Sequence, residues 1–136
     1  MELRNETAPW VERETLVEAT PEEVWEALTD EDRLAEWMAP EVELDPVEGG
    51  EIAVRDGDDE RFGTVETVEE DERFAFTWTR PGEGESFVEF TIEPLPGGSR
   101  VRVVETPIGL GPTALAAGAW GSRLVRLRRA LTLVTA

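Results

Sequence analysis

The chain has 136 residues, enough for one domain, and its 40% apolar content with five Trp and five Phe supports a real buried core. Thirteen Arg face 31 acidic residues, for a net charge of −18, and no Lys, His, Cys or Tyr occurs. That inventory excludes Ser–His and Cys–His nucleophiles, Schiff-base lysines, thiolate or imidazole zinc sites, phenolic acids and disulfides within the chain, and it opposes nucleic acid or an anionic membrane as a partner.

The opening MELRNETAPW has no apolar run of the kind a signal peptide needs, so a cytoplasmic protein is expected, with residues 1–9 a loose N-terminal segment of a single domain spanning 1–136. From Trp10 to Ala19, Val, Thr and charged residues suggest a first strand. Val11, Thr15 and Val17 share one face and Leu16 takes the other, which leaves the buried side open. Thr20-Pro21-Glu22-Glu23 has the order of an N-cap, an N1 proline and acids at the positive end of a helix dipole, and Thr20 with Glu23 has capping-box spacing. Val24, Trp25 and Leu28 form the apolar stripe of that helix, which should end near Thr29-Asp30. A second short helix, capped by Asp30, presents Leu34, Trp37 and Met38 and stops at Pro40.

Residues 41–105 alternate like strands. Val42 and Leu44, then Ile52 and Val54, flank Gly49-Gly50, and an acidic turn follows at Asp56-Gly57-Asp58-Asp59. Three further runs put Phe74, Phe76 and Trp78, then Val88, Phe90 and Ile92, then Val101, Val103 and Glu105 each on one face. Pro-Gly and Gly-Gly pairs between them predict hairpins, and a meander of about six strands is the natural assembly. Beyond Pro107 and a Gly-rich stretch to Pro112, Leu115, Trp120, Leu124, Leu127, Leu131 and Val134 recur at threes and fours, a helix with a continuous apolar face and with Arg123, Arg126 and Arg129 on the other side. All 31 acids lie in residues 1–105 with nine Arg (−22), and the remaining segment holds four Arg and no acid (+4). The basic segment is therefore expected to lie across the acidic body.

The segments VERETLVEATPEEVWEALTDEDRLAEWMAP (11–40), GGEIAVRDGD (49–58), GTVETVEEDERFAFTW (63–78) and VEFTIEPLPGGSRVRVVE (88–105) resemble the SRPBCC (START/Bet v 1-like) superfamily, and within it the heat-shock-protein-90 ATPase activator-homologue branch. The resemblance covers nearly the whole chain. It implies an α+β helix-grip fold: a curved antiparallel sheet of about six to seven strands wrapped around a long C-terminal helix, with two short helices after the first strand. It also implies a cavity between sheet and helix, used in relatives for apolar molecules by carriers, receptors, cyclases, aromatases and hydrolases. The co-chaperone role of the larger eukaryotic activator is not carried over to 136 residues.

Fold fixes the place of a site better than its chemistry. Trp37, Phe76, Trp78, Phe90 and Trp120 are the aromatic candidates for lining such a cavity, with Met38, Val54, Val88, Val101, Val103 and Leu124 completing the apolar set. These same side chains are also what fills the core of a helix-grip fold. Glu105 shares the face of Val101 and Val103, so its carboxylate points at the cavity and is the one weak catalytic candidate, as an acid, a base or an anchor for ligand. Relatives carry His at the matching place, and this chain departs from them there. Arg55, Arg61, Arg80 and Arg102 can each clamp a ligand carboxylate or make cross-strand ion pairs. The acidic turn lacks the order of a calcium loop, and Ser122 sits in no nucleophile elbow, so no metal and no cofactor are expected.

The expected function is non-catalytic binding of a hydrophobic or amphipathic small molecule. The alternatives are a cyclase-, aromatase- or hydrolase-type enzyme using Glu105 with an Arg, and a protein-interaction module, as a homodimer, whose pocket is filled by its own side chains.

Overall fold

The computed structural model describes residues 10–108 and 117–132. The chain order is β1 (Val11–Val17), α1 (Pro21–Thr29), α2 (Glu31–Trp37), β2 (Glu41–Leu44), β3 (Glu51–Asp56), β4 (Asp59–Glu69), β5 (Arg73–Thr79), β6 (Glu85–Leu95), β7 (Gly98–Ile108) and α3 (Ala117–Thr132). The seven strands form one open antiparallel sheet in the order β1-β7-β6-β5-β4-β3-β2, so the first strand pairs with the last. This is the helix-grip architecture, with α1 and α2 inserted between β1 and β2. Of the helical positions expected from spacing, Leu115 and Val134 lie outside the described residues, as do residues 1–9.

The two short helices are set by their caps. The Thr20 hydroxyl accepts from the Glu23 amide at 3.2 Å, and the Glu23 carboxylate accepts from the Thr20 amide at 2.8 Å, which completes the capping box ahead of Pro21. Asp30 serves both helices. Its backbone N–H closes α1 on the Glu26 carbonyl, and its carboxylate accepts from the Asp32 and Arg33 amides that open α2. The Trp37 indole then donates to the Ala27 carbonyl at 2.9 Å and fixes the angle between the helices.

The alternation of the strands divides the sheet into an inner face toward the helices and an outer face. β1 settles the question left open by its sequence: Val11 and Val17 are buried, and Leu16, 54% exposed, points outward. One close approach demands glycine. A Cβ on Gly63 would stand 1.7 Å from the Thr77 carbonyl oxygen, just before the irregularity in β4 between Val65 and Thr67 where the sheet bends.

α3 closes the inner face and packs against β1, α2 and α1. Trp120, Leu124, Leu127 and Leu131 are its buried stripe, as the spacing requires. Arg123 is a correction, because it does not join Arg126 and Arg129 on the outer side but is 7% exposed. Residue 123 stands three after Trp120, on the margin of the apolar stripe, and its guanidinium folds inward over the indole. The basic helix does lie on the body, but Arg123 and Arg126 donate to main-chain oxygens, the carbonyls of Met38 and Trp37, and so cap the end of α2. No helix among the described residues is long and apolar enough to cross a membrane.

Candidate functional site

Adjacent strands carry the site. The registers Trp78↔Ser86, Phe76↔Val88, Val88↔Glu105 and Phe90↔Val103 bring the inward side chains of β5, β6 and β7 side by side. Trp120 descends on them from the first turns of α3.

Glu105 is the polar centre and is 2% exposed. Its Oε2 accepts from the Trp78 indole at 2.9 Å and from the Ser86 hydroxyl, and its Oε1 accepts from the Trp120 indole at 2.7 Å. Burying a carboxylate without partners is prohibitive, and three donors supply what water would otherwise give. The carboxylate forms no ion pair with an Arg among the described residues, and it does not face solvent at the strand end.

The aromatic candidates pack on one another around this centre. Trp78 and Trp120 stack with centroids 5.9 Å apart at 22°, Phe76 meets Trp78 at 5.1 Å, and Phe90 meets Trp120 at 5.6 Å and Trp37 at 5.9 Å. Met38, Val54, Val88, Val101, Val103 and Leu124 are all buried in the same core. The structure thus gathers all twelve sequence-predicted residues but ties only Trp78 and Trp120 to Glu105 by hydrogen bonds.

Three functional candidates escaped the sequence reading in whole or part. Ser86 stands two before Val88 and shares its inward face, a parity visible in the sequence. Arg61, one of four Arg considered as clamps, is separated by burial: it is 7% exposed, and its Cζ lies 4.8 Å from the centre of the Trp78 ring. Arg123 matches it with its Cζ 4.7 Å from the Trp120 ring centre and 5.8 Å from that of Trp78. Of the other Arg, Arg80 shares Asp59 with Arg61 through Nε contacts of 3.1 and 3.3 Å. Arg55 pairs with Glu60 and Glu43, and Arg102 with Glu12, in cross-strand ion pairs on the outer face.

Burial and then the like charge of Arg61 push the Arg123 guanidinium down from its ordinary value to about 10, against the opposing pull of Glu105 and Asp59. It remains a cation at neutral pH. Asp59, at the acidic turn, is committed to these Arg, and no cluster of three or more His, Cys, Asp or Glu suited to a metal ion occurs among the described residues. A surface hollow of about 490 Å³ bounded by Glu31, Glu43, Asp45, Glu51 and Phe62 lies apart from the aromatic centre and shares none of its residues.

The sequence profile of the family described as Activator of Hsp90 ATPase homolog 1-like protein matches residues 18–132. Among solved structures, the chain is similar to DynU16, a protein in the dynemicin biosynthetic locus, with 29% identity and a TM-score of 0.80 over 91% of this chain. The chain spans about half of that structure, 47% of its length. Protein MLL2253 from Mesorhizobium loti is similar at 22% identity, with a TM-score of 0.81 over 91% of this chain and 97% of that one. The Aha1 dimer from Colwellia psychrerythraea is similar at 19% identity, with a TM-score of 0.75 over 90% of this chain and 95% of that one. Comparison with curated proteins returns no match.

Proposed function

We propose that this chain, which belongs to the Activator of Hsp90 ATPase homolog 1-like family, is a small-molecule-binding protein that holds an amphipathic ligand between the sheet and α3 without transforming it. The fold is one consistent with ligand binding and with polyketide-cyclase-like roles. The observation that carries the binding reading is the state of Glu105, a buried carboxylate whose two oxygens are both fixed by donors from two stacked indoles and a hydroxyl. Such a group fixes the two indoles, and it is poorly placed as a general base because each of its oxygens already accepts from at least one protein donor. The similarity to a protein of a biosynthetic locus supports a small organic molecule as the ligand class.

A second reading has its own support. The aromatic rings of the interior touch one another, which favours an interaction module, such as a homodimer, with a core filled by its own side chains.

Native mass spectrometry of freshly purified protein, followed by denaturation and extraction, separates the two. A stoichiometric small molecule released on denaturation is the expected result and names the ligand. A bare dimer mass, with no change in tryptophan emission across a panel of amphipathic molecules, would overturn the proposal in favour of the module.

A further inference from the structure

The outer face of the sheet, opposite the aromatic core, carries a band without charge. Its side chains alternate with the inward ones. The pairings Phe87↔Thr106, Thr77↔Phe87 and Thr64↔Thr77 align Thr106, Phe87, Thr77 and Thr64 across β7, β6, β5 and β4. Trp10, just ahead of Val11↔Glu105, has the parity of the outward Leu16 and continues this row beyond β7. In the next row Thr79 is paired with Phe62, and Ile108 ends β7. Trp10, Phe62 and Ile108 are 47%, 39% and 37% exposed. Single exposed apolar side chains are ordinary, but aromatic and threonine side chains running uninterrupted across these strands stand out in a chain that is 32% charged.

The carboxylates beside the band differ from those on the rows beyond it, where Arg102 pairs with Glu12, Arg100 with Glu14 and Glu93, and Arg73 with Glu69 and Glu89. Glu51 stands opposite Thr64, Glu85 opposite Thr79 and Ile108, and Glu66 accepts from the Thr77 hydroxyl at 3.4 Å. All three are exposed, and none forms an ion pair among the described residues. One cation already uses the band: the Arg55 Cζ lies 5.6 Å from the Phe62 ring centre, with its charge committed to Glu43 and Glu60. An apolar centre with an unneutralised acidic rim matches a partner that brings apolar side chains flanked by cations.

We infer that this band is a docking surface for a partner protein whose docking segment carries Lys or Arg beside apolar or aromatic side chains. The net charge of −18 draws such a segment in from a distance. It opposes the alternatives, because a second copy would set its own acidic rim against this one and an anionic membrane would be repelled. The band and the aromatic core lie on opposite sides of the sheet, so docking there is independent of whether the core takes a small molecule.

The probe is a peptide of three Lys-Leu-Ala-Lys repeats, with a counterpart in which Glu replaces every Lys. Each is titrated into the isotope-labelled full chain and followed by amide chemical shifts. The Lys peptide is expected to bind saturably and to shift the signals of Thr64, Thr77, Phe87 and Thr106, and the Glu peptide to shift none. Trp10→Ser and Phe62→Ser should each weaken the Lys peptide at least about fivefold, and Glu51→Gln and Glu85→Gln about two- to fivefold. Glu22→Gln removes the same charge from α1 and should leave the affinity unchanged. Shifts scattered over the acidic surface or centred on α1, or no saturable binding, would overturn the inference. So would a dimer of the chain alone in sedimentation that Phe62→Ser dissolves, which would assign the band to a second copy. The shift map is made on the wild-type chain, so misfolding of a variant cannot obscure it.

Discussion

At the scale of single residues, the chemistry of the interior is decided by Glu105 and by what surrounds it. Replacing its carboxylate by an amide presents N–H to at least one group that is itself a donor. Glu105→Gln should therefore cost about 1–3 kcal/mol of stability, the usual price of an unsatisfied buried polar group, read as a lower urea midpoint with altered tryptophan emission. Arg123 makes the opposite prediction. Its folded pKa, about 10, lies below that of the unfolded chain. Charged burial therefore opposes folding at neutral pH, and this penalty lifts as pH rises above about 10 toward the unfolded value, a window in which the unfolded chain holds more protons. Arg123→Met should accordingly leave the urea midpoint of the ligand-free protein equal or higher at pH 7. A clear drop would mean that its hydrogen bond to the Met38 carbonyl outweighs desolvation. The inward direction of Glu105 was legible from its parity with Val101 and Val103. Its partners were not, because Trp78, Ser86 and Trp120 meet it only through strand register and helix docking, which no local pattern encodes.

At the scale of elements, the sequence was most informative where structure is made locally. Thr20, Pro21 and Glu23 spell the start of α1, and Asp30 both its end and the start of α2, because capping bonds join residues two to four apart. Thr20→Ala should cost about 1 kcal/mol, seen as a shifted denaturation midpoint with an unchanged slope. Gly63 was read only as part of a strand. Its need for the absence of a side chain arises from the partner strand across the sheet, and Gly63→Ala, which would place a methyl against the Thr77 carbonyl, should cost roughly 3 kcal/mol or unfold the chain. The stripe of α3 was legible in its leucines, but Arg123 was assigned by its charge to the wrong side. A stem that can lie along apolar rings lets a charged residue sit at the margin of a buried face.

At the scale of the whole molecule, the balance of charge is the main electrostatic fact. Most Arg on the outer face are engaged in exposed ion pairs of small net value, so the excess of acid remains as self-repulsion. Raising NaCl from about 0.05 to 0.5 M should stabilise the fold by about 1 kcal/mol, or roughly 3 °C in Tm, as screening shortens the reach of that repulsion. A fall in Tm would show that the ion pairs matter more than the excess. The order of helices and hairpins, and with it the helix-grip architecture, was legible because each hairpin is closed by its own turn. The pairing of β1 with β7 is different in kind: it was not legible, because nothing local in β1 points to a partner so distant along the chain.

That pairing governs the order in which the molecule can become complete during synthesis. β1 leaves the ribosome before the strands β2 to β6, and its sheet partner, Gly98–Ile108, leaves after them. The carbonyls at the end of α2 wait still longer, for Arg123 and Arg126. The hairpins from β2 to β6 can zip as they emerge, whereas β1 waits for its partner until β7 has been made. Closure of the fold is therefore a late, long-range event, and a nascent chain stalled before β7 should be open to protease along β1.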